Sequence, residues 1–361
     1  MVLSENPMPA DMKKGIVLNY KKARSIAVLF ILVLFISAAI RTFIAESFLI
    51  PSGSMKKTLL IGDLVCVSKL NYGARLPITP ICIPFSNIYW EGIQLPYFRF
   101  PGFSSIKRND IIVFNYPMEA DPNIYQPVDQ RQYFIKRCIG LPGDTLNIIG
   151  QRVLINQKEL QPRANSMKYF SVITRVPRQS THPFTDLNID YRKNGPASFI
   201  VNLPLSDEPL LKRSPEILDI KKIILKTGDF DATVFPHDLN YKWNKDNLGP
   251  IVIPKRGKSI LLTPDNIPLY RRLITLYEGN TLQEQQKNIY INGKLANHYT
   301  FKNNYLWVMG DNRDNSSDSR VWGFVPEDHI VGKANFIWFS WDSKAGILHK
   351  IRWRRILRKI N

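Results

Sequence analysis

The sequence predicts a mostly β protein, in which an N-terminal transmembrane helix precedes an antiparallel β-sheet domain that carries a β-rich insertion. Residues 25–40 form one uncharged apolar run, which is typical of a membrane-spanning helix. Beyond this run, the apolar residues stand in short segments with the alternation of strands. The 25 prolines and 19 glycines argue against a mostly helical chain and favour many turns and short strands.

Composition limits the classes of protein that the chain can belong to. With 361 residues, 44% of them hydrophobic, the chain can bury a core, which excludes global disorder. The formal charge of +19 predicts a polyanionic partner, either nucleic acid or an anionic membrane surface. Cys66, Cys82 and Cys138 are too few and too scattered for a disulfide framework, and without a C-x-x-C motif we expect no zinc site.

The first element is the predicted transmembrane helix at residues 25–45. Its length of about 21 residues corresponds to about 31 Å, which matches the hydrocarbon core of a bilayer. A cleaved signal peptide and a buried core helix are the alternatives, but this run is longer and more uniformly apolar than either usually is. Five cations precede the run: Lys13, Lys14, Lys21, Lys22 and Arg24. They predict that residues 1–24 are a basic tail in the cytoplasm and that everything after residue 46 lies outside.

The folded part begins with a segment at 46–159. It contains a strand-like alternation after the turn at Gly62 and Asp63, and further strands at 111–114, 132–139 and 146–155. Residues 73–108 are rich in proline and aromatic residues, which predicts an extended covering loop.

Residues 160–288 are predicted to form the β-rich insertion. Similar sequences at 153–158 and 289–294 flank it, which predicts that it hangs from one hairpin of the main fold. The segment 289–342 then resumes the sheet. The tail at 343–361 mixes cations with Ile, Leu and Trp, and we expect an interfacial helix on anionic lipid, with a solvated basic tail as the alternative.

Three segments carry candidate chemistry. Ser-Gly-Ser at 52–54 is, by itself, typical of a flexible turn. Lys136 shares one face of its predicted strand with Phe134 and Cys138, so it can be desolvated, which lowers the pKa of a lysine and makes it a general base toward a serine hydroxyl. An ordinary edge-strand lysine is the alternative.

The third segment is the polar loop at 310–320, Gly-Asp-Asn-Arg-Asp-Asn-Ser-Ser-Asp-Ser-Arg. A solvated loop or a calcium loop would also fit this composition, but Ser316 stands where an EF-hand has its glycine. The hydroxyls of the loop can hold a lysine amine, and its charged residues can form a lattice of ion pairs.

Together, these segments resemble the type I signal peptidases. The resemblance rests on SGSM at 52–55 with Gly-Asp-x-x-x-Val-x-Lys at 62–69, on KRCIGLPGD at 136–144, and on the loop at 310–320 followed by WGFVPE. It implies that Ser54 is the nucleophile, Lys136 the general base, Ser52 an oxyanion-hole donor and Ser316 the residue that orients the lysine.

The resemblance also implies two supporting sets and no metal or cofactor. Four residues would hold the site together by ion pairs: Arg137, Asp311, Asp318 and Arg320. Five would form the substrate pocket: Ile50, Met55, Leu59, Phe134 and Ile135. The family commonly has proline before Thr-Leu, whereas this chain has Lys56 and Lys57 before Thr58, which predicts a looser turn behind the nucleophile.

The implied function is that of a membrane-anchored serine endopeptidase, which removes N-terminal signal peptides from exported preproteins at small-x-small sites. The implied location is the bacterial inner membrane, crossed once, with the catalytic domain on the periplasmic side. The expected partners are preprotein signal peptides, anionic membrane lipid and the secretion machinery, and not nucleic acid.

Three other functions would each account for part of the sequence. A catalytically degenerate relative would keep the fold without activity. A self-cleaving Ser/Lys protein of the repressor type would lack the anchor and carry a helix-turn-helix, which does not fit. A membrane-anchored basic adaptor would explain the charge of +19 but not why Ser54, Lys136 and the Ser316 loop occur together.

Overall fold

The structure is a computed structural model, and it describes residues 10–82, 89–90, 92–118, 126–175, 182–187, 189–286, 288–346 and 349–360. Residues 1–9 of the predicted cytoplasmic tail and parts of the predicted covering loop, insertion and C-terminal tail lie outside the described residues.

The N-terminal element is a long helix, α1 (Ala10–Ala39), which continues as one π-helical turn at Ile40–Ile44. It begins earlier than predicted, since the basic residues before the apolar run are themselves good helix formers. The stretch Lys22–Ile44 has a mean hydropathy of 2.5 over its best window, none of it buried. Among the described residues it alone is long and apolar enough to cross a membrane, which fits the predicted anchor.

The remainder is mostly β, as predicted. Its strands are short because prolines, glycines and turn residues interrupt the alternating apolar pattern. In chain order, the described strands are β1 (Ala45–Leu49), β2 (Asp63–Ser68), β3 (Ile111–Asn115), β4 (Tyr133–Gly140), β5 (Thr145–Ile149), β6 (Arg152–Ile155), β7 (Lys158–Glu159), β8 (Met167–Thr174), β9 (Asp190–Lys193), β10 (Ser198–Pro204), β11 (Ile217–Lys222), β12 (Leu248–Val252), β13 (Ser259–Leu261), β14 (Leu282–Gln285), β15 (Asn288–Ile291), β16 (Lys294–Leu295), β17 (His298–Thr300), β18 (Tyr305–Met309), β19 (Val325–Pro326), β20 (Ile330–Ser340) and β21 (Arg358–Lys359). The short helices after α1 are α2 (His182–Asp186), α3 (Glu208–Lys212), α4 (Ile267–Arg272) with a π turn at Leu273–Tyr277, and α5 (Ser319–Trp322).

The largest sheet is antiparallel and has the order β1-β2-β20-β3-β4-β18-β19, with β21 paired to β20. Strand β4 lies between β3 and β18, and its register sets Ile112 opposite Lys136 and Met309 opposite Arg137. An interior strand with apolar neighbours on both sides buries its own side chains, so Lys136 is 3% exposed and Arg137 1%. The sheet thereby places two charged residues of one strand in the core.

The insertion builds a separate sheet of order β11-β8-β10-β9, with its own apolar core around Phe170, Phe184 and Leu211. Later residues of the insertion join the main body instead: β12 pairs with β5, and Ile267 and Ile274 pack in the same core as Trp307.

Two predictions about the hairpins are wrong. The repeated sequences form two separate hairpins, β6–β7 and β15–β16, which belong to different sheets, so the insertion does not hang from one of them. The predicted single strand at 146–155 is divided into β5 and β6 by a turn, where Gly150 and Gln151 both have positive φ. A strand cannot continue through such residues.

In the predicted covering loop at 73–108, the described segments near its two ends lie side by side. Backbone hydrogen bonds join Leu76 to Phe98 and Phe100 to Ala74. Arg75 donates to the carbonyl of Asp328 at 2.8 Å, and Arg99 donates to that of Gly73 at 2.9 Å. These arginines attach the loop to the 3-10 turn before β20 and to itself.

The helix predicted for the C-terminal tail is wrong. Ile351 forms a bridge with Trp341, residues Trp353–Arg355 make one 3-10 turn, and β21 pairs with β20. The Arg355 guanidinium is buried against the carboxylate of Asp63, with Nε 3.0 Å from Oδ1. Alternating cations and apolar residues fit the edge strand of a sheet as well as one face of a helix. The pairing of β21 with β20 also satisfies backbone N–H and C=O groups of the sheet edge, which a separate helix would leave unpaired.

We expect Arg355→Met to lower the free energy of unfolding by about 3 kcal/mol, because it leaves the buried Asp63 carboxylate without its cation. Arg358→Met, on the exposed strand β21 of the same tail, is the matched control and should change little. Both can be measured as urea midpoints of the detergent-solubilised chain. Equal midpoints for the two variants would contradict the structural role of the tail.

Candidate active site

The turn that carries Ser54 lies between β1 and β2. Its ends are joined because the Ile50 amide donates to the Asp63 carbonyl at 2.9 Å and the Gly62 amide donates back to the Ile50 carbonyl at 3.0 Å. Gly53–Met55 form one 3-10 turn, and the fully buried Met55 fastens it to the core. Ser54 is therefore half-buried on a short, tied-down turn and not on a flexible loop.

Lys136 lies beneath this serine. Its Nζ is 2.8 Å from Ser54 Oγ and also donates to the Ile135 carbonyl at 3.0 Å. The amine lies 5.4 Å from the centre of the Phe134 ring. Burial lowers the pKa of Lys136 to about 8, and the more distant carboxylates of Asp318 and Asp311 oppose that shift only in part.

The loop that follows β18 closes over the serine turn. The Asn312 amide donates to the Ser54 carbonyl at 3.0 Å, and the Asn312 side chain donates to the Gly53 carbonyl at 3.1 Å. Gly310 is needed here because a Cβ on it would lie 2.7 Å from the Ser54 carbonyl oxygen. Asn312 is not among the site residues that the sequence predicts, and its place beside Asp311 in the loop motif is the one signal that points to it.

Two buried ion pairs hold this loop. Arg137 binds Asp311 through two parallel hydrogen bonds of 2.8 and 2.7 Å, and Thr58 Oγ1 adds a third to the same carboxylate at 2.6 Å. Arg320 binds Asp318 in the same two-pronged manner, at 2.9 Å each. Burial alone would raise the pKa of both carboxyls, but the arginines hold each pKa below its usual value.

The two supporting serines stand differently from each other. Ser52 Oγ is exposed and lies 3.5 Å from Ser54 Oγ, and its part in an oxyanion hole stays a prediction. Ser316 is buried and donates to the Ser317 carbonyl at 3.4 Å, and between the described side chains of Ser316 and Lys136 there is no hydrogen bond. The orienting role of Ser316 stays a prediction.

The five residues predicted for the substrate pocket are divided between core and surface. Ile50, Met55 and Leu59 are at most 2% exposed and belong to one apolar cluster, whereas Phe134 and Ile135 are half-buried. Ile135 packs against the same cluster as the first three, whereas Phe134 packs against a different cluster with Phe114 and Trp322. The contact of the five predicted residues with substrate stays a prediction.

Lys56 and Lys57 face the insertion. Lys56 forms an ion pair with Asp190, and Lys57 Nζ lies 3.4 Å from Asp207. Both partners belong to the segment 160–288, so the two lysines that replace the usual sequence connect the serine turn to the insertion. The turn is not loose, because Thr58 and the backbone of Met55 fasten it from the other side.

Comparison with known proteins identifies the family of the chain. A family model described as signal peptidase, peptidase S26, matches residues 23–191 and 295–341. The chain is 29% identical over 352 residues to signal peptidase I of Buchnera aphidicola subsp. Baizongia pistaciae, covering 95% of this chain and 86% of that protein. It is 30% identical over 331 residues to that of Buchnera aphidicola subsp. Schizaphis graminum, covering 91% and 79%. It is 26% identical over 358 residues to that of Pseudomonas aeruginosa, covering 93% and 81%. The chain therefore belongs to the signal peptidase family, peptidase S26.

Proposed function

We propose that the chain is a type I signal peptidase that cleaves signal peptides from preproteins by a Ser54–Lys136 dyad. The observation that carries this proposal is the 2.8 Å separation of Ser54 Oγ and Lys136 Nζ, with the lysine 3% exposed. The names of its relatives supply the substrate class. The contact of a serine hydroxyl with a buried lysine, whose pKa burial lowers, supports the proposed nucleophile and base.

The reaction follows from this contact. The neutral Lys136 amine takes the Ser54 hydroxyl proton as Oγ attacks the scissile carbonyl, and the resulting ammonium gives that proton to the leaving amine. Water then attacks the acyl-enzyme with the same amine as base. The Ser54 amide and the Ser52 hydroxyl would stabilise the oxyanion, and small side chains before the cut would fit the shallow site beside Ile135 and Phe134.

The first test is the pH dependence of preprotein cleavage by the full-length chain in detergent. Because the neutral amine is the base, and burial lowers the Lys136 pKa to about 8, the rate should rise with pH through about 8 and level off above it. If the rate instead rose through about pH 6.5, the base would be a histidine. A profile that is flat between pH 6 and 9 would contradict a lysine base.

We also propose the location of each part. The cations before the apolar run at 25–45 favour a cytoplasmic N-terminus of residues 1–24. The β1–β2 turn with Ser54 then lies just outside the inner membrane, where a cleavage site would emerge. The segments 46–159 and 289–342 would form the catalytic domain, since one supplies the dyad and the other the loop above it. Residues 160–288 would be the insertion and 343–361 a basic tail, which gives the protein a cationic face toward anionic lipid and the secretion machinery.

The orientation has a simple test. Protease added to intact spheroplasts should digest residues beyond 46 and spare the N-terminal tail, because the tail is on the other side of the bilayer. Detergent-lysed spheroplasts are the control, in which both ends become accessible. A reporter fused after residue 360 that is active only in the cytoplasm would contradict the proposed orientation.

A further inference from the structure

Beside the active-site loop, which contributes Arg313 to its lining, lies a cavity of about 230 Å³ with no assigned role. Its floor holds three polar side chains that are at most 8% exposed: Ser166, Lys168 and Arg313. Its rim carries three further cations: Arg152, Arg163 and Lys222. Glu159 is the single acidic residue of the lining and lies 3.7 Å from Arg152 at the rim.

The floor has unsatisfied polar groups. The Ser166 hydroxyl and the Arg313 Nε are both buried and make no hydrogen bond with any described residue. Arg313 donates only a weak bond, 3.5 Å to the Met309 sulfur, and none of the described carboxylates lies within ion-pair distance of it. The Lys168 ammonium donates a hydrogen bond of 2.8 Å to Oε1 of the neutral Gln151. Within the described part of the chain, Lys168 likewise forms no ion pair.

Charge decides what such a floor can accept. Water can satisfy a serine hydroxyl, but it does not neutralise a buried guanidinium. Asp311 and Asp318 offset the burial of Arg313 only in part, since burial still lowers the pKa of Arg313 to about 10. A hydroxyl, an ammonium and a guanidinium N–H are all donors, and they line one enclosure with cations at its rim. Charge-assisted bonds to an oxyanion would use all of these donors.

We propose that this cavity binds a phosphate ester, with the phosphate oxygens on Ser166, Lys168 and Arg313 and the organic part toward the rim. The volume exceeds that of a few waters, at roughly 30 Å³ each, so there is space for an attached group. The phosphate belongs either to a lipid headgroup or to a small soluble ester.

The site is coupled to the active-site loop by the backbone. The Met167 amide donates to the Asp311 carbonyl at 2.8 Å, the Arg313 amide donates to the Met167 carbonyl at 3.0 Å, and the Tyr169 amide donates to Asp314 at 2.6 Å. A bound anion would therefore hold together strand β8 and the loop that closes over Ser54.

The test is calorimetric titration of the full-length chain in detergent with inorganic phosphate, sulfate and glycerol phosphate. We expect binding that weakens about 10- to 100-fold in Lys168→Met, as for one charge-assisted hydrogen bond, and less in Ser166→Ala. Lys255→Met removes the same charge from a different cavity and should leave the affinity unchanged. No binding to the unchanged chain, or equal binding by Lys168→Met, would overturn the proposal.

Sulfate also gives a pH test, because its charge is constant between pH 6 and 9. Burial lowers the pKa of Lys168 to about 7; Asp314 and Asp246 oppose this shift, and Arg313 and Arg320 add to it. The ammonium is the binding form, so sulfate affinity should fall as pH rises through this range and should not change in Lys168→Met. An unchanged affinity in the natural chain would show that Lys168 does not touch the anion.

The two sources of phosphate are distinguished by reconstituting the chain in phosphatidylcholine nanodiscs, with and without phosphatidylglycerol. If the headgroup occupies the cavity, phosphatidylglycerol should abolish the binding of glycerol phosphate, and Lys168→Met should show no such competition. If the occupant is soluble, the lipid should have no effect. Because the measurements report binding alone, they are independent of the proposed peptidase activity.

Discussion

Ser54→Ala and Lys136→Ala are each expected to lower the rate of preprotein cleavage by at least about 10³-fold, because the two side chains act as one unit. Ser54 Oγ and Lys136 Nζ lie 2.8 Å apart, so removal of either leaves the other without its partner. The double variant should be no slower than the slower single variant. The measurement is turnover of one purified preprotein by the detergent-solubilised chain, and near-normal turnover in either variant would exclude the dyad.

Ser52→Ala serves as the graded comparison. As one oxyanion-hole donor it should cost about 10²–10³-fold in rate, less than the dyad residues, and should leave the pH profile unchanged. Lys136→His keeps a base but shortens its reach from β4, so we expect it to be nearly inactive. If the Lys136→His enzyme were active and its cleavage rate rose at a pH closer to neutral, the site would not need lysine.

Arg137→Met is expected to destabilise the fold by about 3–5 kcal/mol, because it leaves the fully buried Asp311 carboxylate without its cation. Asp311 is held by Arg137 and Thr58, and its loop neighbour Asn312 holds the Ser54 carbonyl. Activity should therefore fall as well. The measurement is the midpoint of urea unfolding, together with cleavage by the fraction that remains folded.

A double-mutant comparison distinguishes the loss of the ion pair from a general destabilisation caused by the substitution. Arg137→Met with Asp311→Leu replaces both charges by apolar side chains, which is often nearly neutral for a buried pair, so it should recover much of the stability that Arg137→Met loses. Lys221→Met breaks the exposed pair with Asp219 and should leave the midpoint unchanged. If the double variant is less stable than Arg137→Met alone, the pair is not what stabilises the loop.

Much of the fold could be predicted from local patterns. An uncharged apolar run of this length predicts the apolar part of α1, because a helix satisfies its backbone polar groups within one segment, as a bilayer requires. Alternation predicts β2 and β4, since side chains on a strand point to opposite faces. The same alternation predicted a buried Lys136. The motifs identified the family and the residues now proposed as the dyad.

Other features depend on contacts between distant segments. The tail pattern fits either a helix or a strand, and only pairing with β20 and the Arg355–Asp63 contact decide between them. No local signal shows that Lys56 meets Asp190 or that Ser316 donates to Ser317. The cavity at Ser166 and Arg313 likewise forms only where β8 meets the loop after β18.

The sequence by itself thus determined the apolar helix that fits an anchor, the β-rich class, the family and the two residues proposed as the dyad, because each of these depends on residue type and near-neighbour spacing. The tertiary structure alone decided that these two residues, 82 positions apart, lie 2.8 Å from each other and that Asn312 fastens the serine turn. The physical reason is that strand register and the closing of long loops are set by packing across the whole sheet, and these contacts have no counterpart in local sequence.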